Sequence, residues 1–404
     1  MGGSPFGFGP GHSEDPSILE PNKMIKNNAS LNSVVSIQKA NEYKKITVSK
    51  AIKKAIDDLG GINKFVKRGN SVLLKPNLLS AKSPETAATT HPSVVEAVGE
   101  LVKDCGAKVF IGDSPAIGNW QNIIQTTGMT KIAQRLGAKL VHFDTPVQAQ
   151  KNKIHRFKFL EITKEAFKAD VMINLPKLKT HTQMYLTLGV KNLFGCVVGK
   201  KKAQRHMEAG KDSRQFARML VEIYGSISPA LTIMDGIVGM EGNGPGSGPP
   251  KSIGLILAST DAVALDRIVC EILGAKKEKL LTLAAAKELG YGNTELKYIQ
   301  TIGEDLNRAK IHSFRFPVMT DVEFGPLFLR KLITDLVTSK PKEDRKQCTL
   351  CGFCSEACPP KIIKIKGKKL SIEYDDCISC YCCIEVCPEG AMEIKQGILA
   401  KFMS

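Results

Sequence analysis

Two stretches near the C-terminal end share one spacing: Cys348-Thr-Leu-Cys351-Gly-Phe-Cys354-Ser-Glu-Ala-Cys358-Pro359 and Cys377-Ile-Ser-Cys380-Tyr-Cys-Cys383-Ile-Glu-Val-Cys387-Pro388. Each reads C-x2-C-x2-C-x3-C-P. Thiolates bind soft metals strongly, and three of them on one tight turn can cap three corners of an iron–sulfur cube. Two other chemistries use cysteine at this density. Disulfides belong to oxidising compartments and usually to small secreted domains, but this chain has 404 residues and its start does not read as a secretory signal. Structural zinc favours paired C-x2-C knuckles, often with His. Here each set is four Cys long, ends in Cys-Pro and has no His nearby. The spacing points to [4Fe-4S] clusters.

The region from about Lys346 to Lys395 resembles bacterial-type two-cluster ferredoxins. That resemblance implies two [4Fe-4S] clusters with crossed ligation, because the fourth Cys of each run has turned away from its own cube. One cluster then uses Cys348, Cys351, Cys354 and Cys387. The other uses Cys377, Cys380, Cys383 and Cys358. Between the runs, Ile362-Ile-Lys-Ile-Lys, Gly367 and Leu370-Ser-Ile-Glu-Tyr374 predict a small hairpin. Cys382, beside Cys383, departs from the pattern and reads as a small buried hydrophobe rather than a spare ligand.

Composition bounds the rest. The length allows two domains, and 43% hydrophobic residues is ordinary for a globular protein. No apolar run reaches the length of a membrane span, so a cytoplasmic location is the expectation. The net charge is +17. From Lys346 onward eight Lys/Arg face seven Asp/Glu, leaving 49 against 33 for the rest, so the large N-terminal part is the basic one. Such a surface suits nucleic acid, an anionic membrane or an acidic protein, or can steer an anionic substrate. No RNA-binding signature accompanies the charge, which argues against nucleic acid. The oligomeric state is not legible.

Residues 1–32 read as a loose tail, with Met24 an alternative start. From 33 to 316, short apolar strands alternate with amphipathic helices, the pattern of an α/β domain with a mostly parallel sheet and flanking helices. Strands are predicted at Ser71–Lys75, Lys108–Gly112, Lys139–Phe143, Ala169–Leu175, Leu231–Asp235 and Ile253–Ala258. Helices are predicted at Ile46–Leu59, Pro92–Val102, Thr130–Leu136, Ser213–Ser226 and Asp261–Leu273. Over 317–345, Leu329, Leu332, Ile333, Leu336 and Val337 form an apolar stripe, read as a linker helix. It leads into the α+β ferredoxin-like module over 346–404.

In an open parallel sheet, ligands bind at the carboxyl ends of the strands. Four predicted strands exit alike: at Lys75-Pro76-Asn77, at Asp113-Ser114-Pro115, at Asn174-Leu-Pro-Lys177-Leu-Lys179-Thr-His181, and at Asp235-Gly236. If these exits converge, they make a basic pocket. Lys177, Lys179 and His181 share a face if the chain stays extended. Lysines there can clamp an anion, and His181 can move a proton near neutral pH. The alternatives are solvated strand ends and hydrogen-bonded structural histidines, a reading that also covers His91 and His206. Gly189 and Gly195 bracket Lys191-Asn192, a polar pair in an apolar segment. A buried Lys needs a partner or an anion. Met240-Glu-Gly-Asn-Gly-Pro-Gly-Ser-Gly-Pro-Pro250 is not a dinucleotide fingerprint, since a strand rather than a helix follows it, and Pro250 replaces the Gly that a phosphate loop requires before Lys-Ser. It can form an anion nest or a lid.

The large domain resembles the family called domain of unknown function 362. The likeness rests on Leu74-Lys-Pro-Asn77, Thr90-His-Pro92, Gly112-Asp-Ser-Pro115, Asn174-Leu-Pro-Lys-Leu-Lys-Thr-His181, Gly189-Val-Lys-Asn192, Asp235-Gly236, Met240-Glu-Gly-Asn-Gly-Pro245 and Ser259-Thr-Asp261. It implies that these residues act as one constellation and supplies no activity.

The functional expectation is an iron–sulfur oxidoreductase passing low-potential electrons to an anionic substrate or cofactor. Lys177 and His181 are its candidate catalytic residues. Lys75, Asn77, Asp113, Lys179, Lys191, Asn192 and Asp235 are candidates for binding. The competing expectation is a non-catalytic electron-transfer or assembly subunit that docks an acidic partner protein. A third is a nucleic-acid binder with structural clusters.

Overall fold

The alternating strands and helices assemble, in a computed structural model, into a ten-stranded mixed sheet covered on both faces. The structure describes residues 18–19, 32–115, 118–150, 152–157, 159–199, 201–210, 212–317 and 340–395. Most of the expected tail, and the apolar stripe assigned to a linker helix, lie outside the described residues.

The sheet strands are β1 (Ser33–Lys39), β2 (Ser71–Pro76), β3 (Lys108–Asp113), β4 (Lys139–His142), β5 (Val171–Leu175), β6 (Lys177–His181), β7 (Tyr185–Thr187), β8 (Leu231–Met240), β9 (Pro250–Ser259) and β10 (Ile299–Gly303). Their order is β10-β1-β9-β8-β5-β2-β3-β4, with β6 pairing to β7 and β8. Strands β8, β5, β2, β3 and β4 run parallel. Strand β9 is antiparallel to both neighbours. The chain adds β3 and β4 on one side of β2 and β5 on the other. Such a reversal opens a crevice at the strand carboxyl ends.

Helix periodicity explains the two cores. In Lys45–Asp57, Val48, Ala51, Ile52, Ala55 and Ile56 form one buried stripe. It packs with Pro92–Asp104 and Met129–Leu136 on one face of the sheet. On the other face, Ser213–Ile227 buries Phe216, Leu220, Ile223 and Ile227 against Ala262–Leu273 and Leu281–Leu289. Each fully buried Ile or Leu contributes roughly 1.5–3 kcal/mol. Asp261 lies one residue before its helix and caps it, its carboxylate accepting from the Val263 and Ala264 amides.

Two features of the strands bear on the site. Strand β8 runs past Asp235 to Met240 through a register shift between Gly236 and Val238. Glycine permits that irregularity, because a Cβ at Gly236 would sit 2.9 Å from the Leu255 carbonyl. At Pro176 the ladder changes partner. Strand β5 ends at Leu175 between β2 and β8, and β6 restarts at Lys177 still beside β8 but with β7 as its other partner. Proline has no N–H for the original ladder.

The C-terminal module pairs Lys340–Glu343 with Met392–Lys395, and Ile363–Lys366 with Lys369–Ile372, both antiparallel. The second pair is the predicted hairpin. Among the described residues, no helix is long and apolar enough to cross a membrane.

Candidate redox site at the domain interface

The eight motif cysteines gather around two small cavities. One is lined by Cys348, Cys351, Cys354 and Cys387. The other is lined by Cys358, Cys377, Cys380 and Cys383. Burial pushes the Cys354 thiol up to about 11, with Cys351, Cys387 and Cys348 adding to it. Burial likewise drives Cys383 well up, with Cys380, Cys377, Cys358 and, from the first set, Cys354 adding to it. Four thiolates in one place, most of them buried, repel one another unless cations lie among them, so the donor sets fit iron–sulfur cubes.

A larger cavity of about 330 Å3 opens at the carboxyl ends of β2 and β3, the size range of small-ligand pockets. The sheet edge contributes Lys75, Asn77, Asp113 and Ser114. The segment after Pro176 contributes Lys179, Thr187, Lys191 and Asn192, and the helix Lys201–Ala209 contributes Lys202 and His206. The opposite wall is the ferredoxin-like module: Glu356, Ala357, Cys382, Glu385 and Val386. Contacts across the boundary hold that wall in place. Lys82 Nζ donates to the Pro388 carbonyl at 3.2 Å. In the Gly-rich loop, a Cβ at Gly246 would lie 2.9 Å from the Glu385 carbonyl.

Most of the lysines are committed. Lys75 Nζ pairs with Asp113 Oδ1 at 2.8 Å and donates to the Pro76 carbonyl. Asp113 Oδ2 also accepts from the Leu78 amide at 2.7 Å. Gly195 must be glycine here, since a Cβ would collide with both Lys75 and Asp113. Lys179 Nζ donates to Asn77 Oδ1 at 3.0 Å and to the Ala88 carbonyl at 2.5 Å. Burial pushes it down to about 7. Lys202 Nζ donates to the Ser114 carbonyl, and burial pushes it down to about 8. An amide chain backs the floor: Asn77 donates to Asn192, and Asn192 to Asn174. Among the described residues, Lys191 Nζ has no hydrogen bond or ion pair; it lies over the Phe194 ring, 6.0 Å from its centroid, and feels the Glu385 carboxylate across the cavity. Burial lowers its pKa too.

The structure thus brings together Lys75, Asn77, Asp113, Lys179, Lys191 and Asn192. It does not bring Lys177, His181 or Asp235 to the cavity wall. Lys177 is fully buried and pairs with Asp235 at 2.9 Å, while Tyr43 hydroxyl contacts both. The Tyr43 ring stacks on His91 at 3.6 Å. Asp235 also accepts from the His91 amide, so this cluster ties β8 to the start of helix Pro92–Asp104. His181 Nδ1 accepts from the amides of Gln183 and Met184 and shapes the β6–β7 turn. Burial keeps its imidazole neutral, its pKa well below the ordinary value. The expected role of His181 as a proton carrier near neutral pH finds no geometric support.

Sequence reasoning missed Thr187, Lys202, Glu385 and the wall position of Cys382. It read His206 as structural. The spacing of Lys202, Arg205, His206 and Ala209 is helical, and Arg205, His206 and Ala209 are buried. That periodicity was the available signal.

The comparisons agree with this two-part architecture. Residues 72–271 match the family model described as domain of unknown function (DUF362). Residues 347–391 match a 4Fe-4S dicluster domain. The thylakoid-associated protein sll1697 of Synechocystis sp. is 42% identical over 300 residues, 73% of this chain and 92% of that protein. The dicluster match supports iron–sulfur electron transfer through 4Fe-4S clusters. This chain belongs to the domain of unknown function 362 family, joined in its C-terminal part to a 4Fe-4S ferredoxin-type module.

Proposed function

We propose that this protein reduces a small anionic molecule held in the cavity between its two domains. Two [4Fe-4S] clusters, one in each cysteine set, supply low-potential electrons one at a time. The single observation that carries the reading is the shared wall. Cys382 lies between Cys380 and Cys383, two proposed ligands of one cluster, and it lines the same cavity as Lys75, Lys179 and Lys191. An acceptor in that cavity is therefore within a few residues of a cluster.

The protein's own groups then have distinct tasks. Lys191 offers an uncommitted charge to the acceptor. Asn77 and Asn192 fix the floor by mutual hydrogen bonds. Lys179 and Lys202, held near neutrality by burial, can give up protons that follow the electrons. Lys177, Asp235 and His181 support the strand ends from behind. The module wall covers one side of the cavity, and a less watery surrounding strengthens each charge inside it.

The test uses chemically reduced protein, kept anaerobic. Mixed with the low-molecular-mass fraction of a cell extract, it should be reoxidised. Reoxidation by the protein fraction alone would instead favour a carrier that docks an acidic partner.

A further inference from the structure

Three side chains of the cavity lack a hydrogen-bond partner among the described residues. Thr187 Oγ1 and His206 Nδ1 are buried with no hydrogen-bond partner among the described residues. Lys191 is the third, its ammonium over the Phe194 ring and within reach of the Glu385 charge but without a hydrogen bond. All three are at least nine-tenths buried and line one cavity. They come from different elements. Thr187 sits opposite Lys179 in the β6–β7 register. Lys191 is on the short helix Gly189–Asn192, and His206 is on Lys201–Ala209. Phe194 joins the last two, lying under Lys191 and edge-on to His206.

An unpartnered buried polar group costs roughly 1–3 kcal/mol. Two around one cavity, Thr187 Oγ1 and His206 Nδ1, are tolerable if a ligand completes them, and the Lys191 ammonium beside them carries no hydrogen bond among the described residues. Their chemistry selects that ligand. Lys191 brings three donors and a positive charge; Thr187 brings a hydroxyl. His206 is neutral, its pKa driven down to about 3 by burial and the Lys191 charge, so it adds a hydrogen bond and no charge. The cavity wall as a whole carries four lysines and three carboxylates, a formal excess of one positive charge. A phosphate dianion would exceed that charge, and a neutral ligand would leave it unmatched.

We propose that Thr187, Lys191 and His206 form a subsite for the carboxylate of a small monocarboxylic acid. This rests on the reading of the cavity as the acceptor site and names the chemical class of the acceptor. The carboxylate lies against Lys191, and the remainder of the molecule extends toward the Cys382 wall.

The probe is benzoate, with benzamide as its uncharged isostere and inorganic phosphate as the competing anion. Binding is measured by ligand-observed NMR on oxidised, cluster-loaded full-length protein. Benzoate should bind saturably, with benzamide and phosphate each about tenfold weaker or worse. Lys191→Met should weaken benzoate by at least about tenfold while the cluster absorption stays unchanged. If that variant loses its clusters, Thr187→Val replaces it, with a smaller weakening expected. Benzoate binding unchanged in Lys191→Met or in Thr187→Val, phosphate binding tighter than benzoate, or no saturable benzoate binding would each overturn the subsite. No electron transfer enters this measurement. A chain that binds benzoate through Lys191, yet is reoxidised only by proteins, keeps the subsite and loses the reductase reading.

Discussion

Lys75 and Asp113 leave the ends of adjacent parallel strands and meet at 2.8 Å, both almost wholly buried. Their pairing fixes two strand exits to each other at the rim of the cavity. Gly195 passes so close that no side chain fits between them. A buried ion pair is expensive to desolvate and is strongly destabilising once broken. The pair is therefore best understood as a device that holds the cavity in shape.

Gly195→Ala tests that understanding. The added methyl must push Lys75 away from Asp113. The variant should lose about 3 kcal/mol of stability, read as a lower thermal midpoint of the large domain. An unchanged midpoint would show that the rim relaxes freely.

Lys177 and Asp235 lie outside the cavity, which gives a different expectation. Lys177→Met leaves Asp235 buried without a counter-charge and should cost about 3–5 kcal/mol. Adding Asp235→Leu should recover much of it, since an apolar pair removes both charges. The cluster spectra should survive in both variants. A Lys177→Met protein of normal stability that is unable to pass electrons would return Lys177 to the catalytic group.

The sequence made the sheet, the hairpin and the cysteine sets legible because each is a local pattern. Period-two strands, helix stripes and C-x2-C spacings need no knowledge of distant partners. Strand exits located Lys75, Asn77 and Asp113 at one edge for the same reason. What failed was the assumption that every exit faces the same space. Lys177 and Lys179 share a strand, yet Asp235 and Tyr43 cover one while Asn77 and Ala88 receive the other. Side-chain period gives a face, and tertiary packing decides what covers it. Glu385 and Cys382 could not be found at all, because the docking of one domain on another leaves no periodic trace.

Two lysines give opposite pH responses in stability and in binding. Burial lowers Lys179 to about 7 and Lys202 to about 8, below the unfolded value near 10.4. Above those values the folded chain holds fewer protons than the unfolded chain, so stability should rise with pH from about 7 toward 10. Anion affinity should fall across the same range, as the cavity loses positive charge. Calorimetric melting and benzoate titration at matched pH check both signs. Affinity that rises with pH would mean these ammonium groups do not face the ligand.

Cluster content and ligation form one further expectation. Anaerobically purified protein should contain about eight irons per chain, four for each cube. Cys358→Ala should perturb the cluster associated with Cys377, Cys380 and Cys383, although Cys358 belongs to the first motif. Resonance Raman and electron paramagnetic resonance of the reduced variant distinguish the two sites. A defect confined to the Cys348 cluster, or zinc in place of iron, would contradict the crossed arrangement.

In the proposed function, electrons leave the protein through the cavity between the domains. Its most direct test is the rate at which reduced clusters are reoxidised by the low-molecular-mass acceptor fraction, comparing wild type with Lys191→Met in a stopped-flow anaerobic experiment. Removing one charge-assisted contact is worth roughly 1.5–3 kcal/mol, or about tenfold and more in rate. The account predicts that slowing, with cluster absorption and reduction unchanged. Equal rates for the two proteins would place the exit for electrons elsewhere on the surface and contradict the account.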